Sequence, residues 1–181
     1  MIASYLTDPV TNVWMREAMP LLVVPDAIDE TTAADLRVRL DVAGASAYRL
    51  ADRGRYRVNR ELRVDALWAE LGAVAASIAG APVELAAACW LRFGRGDYSL
   101  VKDDIRTRAP GRRVEIVLDL SVDMSGEAEV VYADGERTLV VPQIPRMLAV
   151  VDRSPTSTRY QRPPTVRGLG GNEIIRLIMQ Y

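Results

Sequence analysis

The second half of the chain is divided into short strand-like segments, and this division constrains the fold more than any other feature. After Pro82, runs of β-branched and other apolar residues alternate with clusters of glycine, proline and aspartate. The predicted strands are Val83–Phe93, Tyr98–Asp104, Arg113–Val122, Ala128–Ala133, Arg137–Val141, Arg146–Val151, Thr156–Gln161 and Glu173–Tyr181. Eight short strands with such punctuation are typical of an all-β sandwich or barrel.

The first half of the chain predicts helices that support these strands. After an irregular lead-in over residues 1–20, the predicted elements are a strand at Leu21–Val24, a helix from Asp29 or Thr31 to about Ala43, a hairpin at Ala47–Leu50 and Arg55–Val58, and a helix from about Val64 to Ala79. The order predicts one α+β, mostly β domain. Residues 1–82 form the support, and residues 83–181 form a double-stranded β-helix, or jelly roll, buttressed by the N-terminal helices.

Alternation along the predicted strands identifies a core. Residues that share the buried faces should lie between the two sheets or under the helices. They are Leu91, Phe93, Val114, Ile116, Leu118, Leu148, Val150, Ile175 and Leu177.

Composition restricts the chain to an ordinary globular protein. Its 181 residues, 49% hydrophobic and 26% charged, suffice for one substantial core. A net charge of −1 predicts no attraction to nucleic acid or to an anionic membrane. No long apolar run or export signal is present, and the single cysteine, Cys89, excludes an internal disulfide, so a cytoplasmic location is expected.

The stretch Trp90–Leu120 carries a dense set of motif residues. These residues are Arg92, Phe93, Gly96, Asp97, Tyr98, Asp104, Arg113, Val114, Ile116, Leu118 and Leu120. In them the stretch resembles the core of the prolyl-hydroxylase-like 2-oxoglutarate/iron(II) oxygenases, in which R-(F/Y)-x-x-G-D-(F/Y) leads into His-x-Asp and then into R-x-(V/I)-x-(V/I)-x-L-x-L. The resemblance implies the same jelly-roll fold.

The resemblance also implies an iron ion held by two histidines and one carboxylate, but this chain contains no histidine. Lys102, the only lysine, stands where the first histidine is expected, and Asp104 shares its strand face. The counterpart of the second histidine is Ser157 or Thr158. We therefore expect no iron and no cofactor, with an ion pair between Lys102 and Asp104 in the place of the metal.

Lys102 and Asp104 are the candidate catalytic residues. The amine suits binding of a substrate carboxylate, general acid catalysis or Schiff-base formation, whereas a structural ion pair that plugs the site is the alternative. The candidate ligand-binding residues are Arg92, Tyr98, Arg113 and Arg159, a set rich in arginine that favours an anionic ligand. A hard metal held by carboxylates at Asp103/Asp104 or Glu127/Glu129 stays open.

Three functions follow from these observations. The first is a protein of oxygenase fold without a working iron site, whose barrel cavity carries out elimination, isomerisation or cyclisation of a small anionic molecule. The second is a non-catalytic pseudoenzyme that binds or scaffolds, and the third is an oxygenase with an atypical metal site. The arginine-rich stretch 49–63 is interpreted as a solvated face, because it lacks the interleaved aromatics and glycines of a nucleic-acid reader.

Overall fold

A computed structural model of the chain describes residues 20–107, 111, 113–122, 129–162 and 173–181. All but the last residue of the predicted lead-in over residues 1–20 lies outside the described residues. The described elements, in chain order, are β1 (Leu21–Val24), α1 (Glu30–Ala43), β2 (Ser46–Leu50), β3 (Gly54–Asn59), α2 (Asp65–Ala79), β4 (Ala87–Phe93), β5 (Tyr98–Ser99), α3 (Val101–Thr107), β6 (Arg113–Asp119), β7 (Val130–Asp134), β8 (Arg137–Val141), β9 (Leu148–Arg153), β10 (Thr158–Gln161) and β11 (Ile174–Gln180).

The strands form two antiparallel layers of a jelly roll. The larger layer has the order β1-β9-β6-β11-β4-β3-β2, and the smaller layer has the order β5-β10-β7-β8. The two layers meet at β3, which pairs with β4 through residues 57–59 and with β5 through residues 54–55. The predicted mostly β fold with N-terminal helices is confirmed.

A glycine makes the junction between the layers possible. A Cβ atom on Gly54 would lie 2.8 Å from the carbonyl oxygen of Tyr98, closer than real Cβ atoms approach backbone. Glycine inside a strand commonly marks such a close approach. Gly54 therefore lets β3 approach β5 closely enough for the two strands to pair.

Helices α1 and α2 cover the outer face of the larger layer. Helix α1 begins after Asp29, whose Oδ1 accepts a hydrogen bond from the backbone N–H of Thr32 at 2.7 Å. It buries Leu36 and Leu40, and α2 buries Leu71 among other apolar residues. No described helix has the length and apolar character needed to cross a membrane.

The predicted core is confirmed at every position. Each of the nine residues named from strand alternation is buried. Leu91 and Phe93 belong to the cluster between the two layers, and the other seven belong to the cluster beneath the helices.

The predicted strand over Tyr98–Asp104 is wrong in its second half. After the two residues of β5 the chain turns into helix α3, whose first turn contains Asp103 and Asp104. Carboxylates are favourable there because the first backbone N–H groups of a helix carry a partial positive charge. Residues two apart on a helix point about 200° apart, so Lys102 and Asp104 do not share a face as they would on a strand.

Candidate functional site

The interior between the two layers contains a buried cluster of charged residues, which we call the Arg153 cluster. Its charged members are Asp104 on α3, Glu115 on β6, Arg153 on β9 and Arg159 on β10. Strand alternation explains the position of Glu115, since its neighbours Val114 and Ile116 face the helices. The cluster therefore joins elements from both layers at the centre of the barrel.

Arg153 uses all three guanidinium nitrogens. Its Nη1 donates to Asp104 Oδ1 at 3.0 Å and to Glu115 Oε2 at 2.8 Å, while Nη2 donates to Asp104 Oδ2 at 2.7 Å and to the Ser157 carbonyl at 3.1 Å. Its Nε donates to Ser157 Oγ at 3.2 Å. The guanidinium carbon also lies 5.3 Å from the centre of the Tyr132 ring. The pairing with Asp104 is bidentate, the strongest geometry for these two groups.

Glu115 is hydrogen-bonded at both oxygens. Oε1 accepts from the Tyr132 hydroxyl at 2.6 Å and from Arg159 Nη1 at 2.8 Å, and Oε2 accepts from Arg153 and from Gln180 Nε2 at 2.9 Å. Burial alone would raise the pKa of Glu115, but the charges of Arg159 and Arg153 outweigh it and hold the pKa at about 2. Glu115 is therefore ionised across the physiological range.

The same charges act on the two arginines. Burial alone would lower the pKa of Arg153 and of Arg159, but the Glu115 carboxylate reverses this and raises both values. The Arg153 cluster thus keeps both guanidiniums and the Glu115 carboxylate charged, and opposite charges are in contact.

A second buried ion pair links β11 to β6. Arg176 Nε donates to Asp119 Oδ2 at 3.1 Å, and Nη1 donates to the side-chain carbonyl of Gln161. The side chains of Arg176 and Asp119 are fully buried. Arg176 is thereby engaged within the protein rather than presented to a ligand.

A cavity of about 280 Å³ lies beside Arg159, at one end of the space between the layers. Tyr56, Phe93, Ile178, Arg159, Asp103 and Cys89 contribute to its lining. The Tyr56 hydroxyl donates to Asp103 Oδ2 at 2.7 Å. The pKa of Tyr56 is raised mainly by burial and also by the Asp103 carboxylate. Burial also raises the pKa of the Cys89 thiol. The wall of the cavity thus combines aromatic, apolar and charged groups.

The structure places Lys102 away from this cavity. Its side chain is 69% exposed, and Nζ lies 3.7 Å from Asp52 Oδ2. Asp104 is buried and pairs with Arg153 instead. The predicted ion pair between Lys102 and Asp104 is wrong, because α3 directs the two side chains to opposite sides. The predicted catalytic role of Lys102 and Asp104 required the two side chains to be in contact, and they are not. Lys102 is also not among the residues that line the cavity.

Of the four predicted ligand-binding residues, Arg159 lines the cavity. Arg92 pairs with Asp41 and Glu173, since it shares the outward strand face with Trp90. The Tyr98 hydroxyl donates to the Ala51 carbonyl at 3.4 Å, and Arg113 Nη1 donates to the Gly111 carbonyl at 2.9 Å. Arg113 lines a different cavity, together with Asp152 and Tyr181. The structure therefore brings one of the four to the candidate site.

The Gly-Asp motif has a structural role in this chain. Asp97 Oδ2 accepts from the backbone N–H of Gly94 at 2.9 Å, and Oδ1 accepts from Arg55 Nε at 2.8 Å. The backbone N–H of Asp97 also donates to the Gly94 carbonyl at 3.0 Å. Asp97 thus closes the turn between β4 and β5 and fastens it to β3.

The residues present do not fit an iron ion. The whole chain lacks histidine, and both oxygens of Asp104 accept hydrogen bonds from the Arg153 guanidinium, which would repel a divalent cation. Within the described ranges no three histidine, cysteine, aspartate or glutamate side chains are grouped to hold a metal. Of the second predicted carboxylate pair, Glu127 lies outside the described residues.

Solved structures resemble this fold closely, although no family model and no curated protein matches the chain. The carbocyclase SnoK from nogalamycin biosynthesis is 15% identical, with a TM-score of 0.69 over 98% of this chain and 85% of SnoK. The chain has the fold of the 2-oxoglutarate/iron(II) oxygenases. A prolyl-4-hydroxylase of Pseudomonas putida is 15% identical, with a TM-score of 0.65 over 95% of this chain and 96% of that enzyme. An oxidoreductase of the 2OG-Fe(II) oxygenase family from Burkholderia pseudomallei is 12% identical, with a TM-score of 0.68 over 99% of this chain and 90% of that protein.

Sequence reasoning missed the principal residues of the site. Arg153, Glu115, Tyr56 and Gln180 were not predicted as site residues. One signal for Glu115 exists in the segment Arg113–Asp119, where acidic residues at 115 and 119 alternate with Val114, Ile116 and Leu118. The predicted N-terminal helices cover one face of the sheet, and the apolar residues of this segment fit that face. The two acidic residues should therefore point to the opposite face, towards the interior.

Replacing Arg153 by methionine should lower the free energy of unfolding by about 3–5 kcal/mol, because Asp104 and Glu115 would lose their shared partner while remaining buried. The matched control is Arg39→Met in the exposed pair of Arg39 with Asp35, where a change below about 0.5 kcal/mol is expected. Urea unfolding followed by circular dichroism measures both values. Equal, small effects at the two positions would contradict the structural importance of the Arg153 cluster.

Glu115→Gln should reduce the decrease in the free energy of unfolding that occurs as the pH falls. In the folded chain the pKa of Glu115 is about 2, against an ordinary value of 4.5, so its contribution is present above pH 4.5 and is lost as the pH falls towards 2. That contribution is on the order of 3 kcal/mol. The variant should be less stable at pH 7 and should lose less stability between pH 4.5 and pH 2. Parallel urea-midpoint curves for variant and parent across that interval would show that Glu115 is not the group responsible.

Proposed function

We propose that this oxygenase-fold protein works without iron, and that the cavity beside Arg159 binds a small anionic molecule. The observation that carries the proposal is the Arg153 cluster, in which hydrogen-bonded arginine and carboxylate groups occupy the interior around Asp104. An interior arranged in this way has no donor set for iron, but it presents a guanidinium to the adjoining cavity.

Arg159 is suited to be the ligand-binding cation. Its backbone N–H donates to Asp104 Oδ2 at 2.8 Å, and its Nη1 donates to Glu115. These two contacts hold both the backbone and the guanidinium of Arg159 in place. The hydrogen bond of its guanidinium to the described residues is made by Nη1, and 11% of the side chain is exposed. A preorganised guanidinium favours a carboxylate or phosphate oxygen.

Catalysis without a metal is a second candidate, and the pair formed by Tyr56 and Asp103 favours it. A phenol that donates to a buried carboxylate at the cavity wall places a transferable proton next to a bound ligand. Elimination, isomerisation or cyclisation would use such a pair. Binding remains the better supported function, because the predicted amine of Lys102 lies outside the cavity.

The first expected outcome concerns the metal. Protein purified from cells grown in iron-supplemented medium should contain no stoichiometric iron, since the chain lacks histidine and Asp104 is held by Arg153. Elemental analysis measures the iron content directly. Stoichiometric iron together with turnover of 2-oxoglutarate would favour the atypical oxygenase instead.

The second expected outcome concerns the cavity, and the only cysteine of the chain provides the readout. Cys89 lines the cavity, so a bound anion should slow its alkylation by iodoacetamide, measured by mass spectrometry at constant ionic strength. Acetate, glutarate, phosphate and phenylacetate serve as probes, with sodium chloride as the reference. At least one probe should slow the reaction in the parent, and Arg159→Gln should remove this protection.

Lys102→Met is the matched control, because it also removes one positive charge but lies outside the cavity; it should keep the protection. If Arg159→Gln does not fold, the double change Arg159→Gln with Glu115→Gln removes both members of the ion pair and tests the same point. Loss of protection in Lys102→Met, or no protection by any probe in the parent, would refute the proposed site.

A further inference from the structure

The cavity beside Arg159 has an apolar wall as well as a cation. Leu91, Phe93 and Ile178 contribute carbon surface to it. The Tyr56 ring lies with its centre 5.4 Å from that of Phe93 and 4.7 Å from that of Tyr48, which stacks against it. Such a wall buries an apolar or aromatic body and gains from ring contacts. A ligand without carbon surface would leave this wall unused.

The size of the cavity suits a compact body. Its volume of about 280 Å³ lies near the lower end of the range of about 300–1,000 Å³ found for small-molecule sites. This size accommodates a single ring with a short acidic arm.

The charges around the cavity limit the ligand further. The described charged side chains that line it are Arg60, Arg159 and Asp103. Arg159 is held against Glu115, and Asp103 stands on the wall itself. One carboxylate can replace solvent at Arg159, but a second negative charge in the same small space would lie near the Asp103 carboxylate and be repelled by it.

From these three observations we infer that the ligand is a monocarboxylate with a compact apolar or aromatic body, and not a dicarboxylate or a phosphate. The inference rests on the proposed function, because it specifies the anion that the Arg159 cavity binds. It assigns the carboxylate to Arg159 and the body to the wall of Leu91, Phe93 and Ile178.

Isothermal titration of the full chain with four probes of similar size tests the inference. Phenylacetate carries one carboxylate and a ring, glutarate carries two carboxylates, phenyl phosphate carries a ring and a dianion, and phenylacetamide is the neutral counterpart of phenylacetate. Phenylacetate should bind at least about tenfold more tightly than each of the other three, which is a difference of about 1.4 kcal/mol.

A cavity variant separates the contribution of the body from that of the charge. Ala87 lines the cavity and is partly exposed, so Ala87→Leu reduces the space without emptying the core. It should weaken phenylacetate at least about tenfold and leave protection of Cys89 by acetate unchanged. Unchanged phenylacetate binding in this variant would overturn the assignment of the apolar wall.

The outcomes distinguish this inference from the function on which it rests. Tighter binding of glutarate or phenyl phosphate, with sensitivity to Arg159→Gln, would overturn the monocarboxylate class and leave the anion site standing. Equal binding of phenylacetamide and phenylacetate would show that the carboxylate is not recognised. If no probe binds, the proposed function fails and this inference fails with it.

Discussion

The structure depends on the burial of one guanidinium. Arg153 has no exposed surface, and a charge in that position costs several kcal/mol unless every donor is satisfied. The chain meets this requirement with carboxylates from α3 and β6 and with the Ser157 backbone. These partners fix α3 against the strands, so the position of the helix and the protonation of the interior are set by the same contacts.

That arrangement combines the oxygenase fold with an interior that lacks the histidines the family resemblance implies. The backbone matches enzymes that use iron, as the TM-scores show, while identities of 12–15% leave the interior side chains free to differ. In this chain the charges of the Arg153 cluster balance one another, and one of its cations, Arg159, adjoins the cavity. A hydrogen-bonded polar interior that adjoins a cavity at a guanidinium is consistent with recognition of a ligand and requires no redox centre.

The sequence allowed the fold to be predicted more fully than the site. Strand alternation identified the nine core residues because burial follows directly from a period of two. It failed at Lys102 because residues 100–104, which follow β5, were assigned to a strand, whereas α3 begins there and turns Asp104 inward. The partners of Asp104 come from residues up to 55 positions away, and such non-local contacts leave no periodic signal. Arg153 and Glu115 therefore became recognisable once the register of β6 and β9 was known.

The position of β11 determines the order in which the chain can complete its fold. This last described strand lies between β6 and β4 at the middle of the larger layer, and β1 pairs with β9. The two parts β1-β9-β6 and β4-β3-β2 can be joined only after residues 174–180 are available. Pairings between such distant segments require large loops to close and slow the folding of β proteins. During synthesis, the hydrogen-bonding edges of β4 and β6 therefore stay unpaired until β11 has been made, and in this interval aggregation competes with folding.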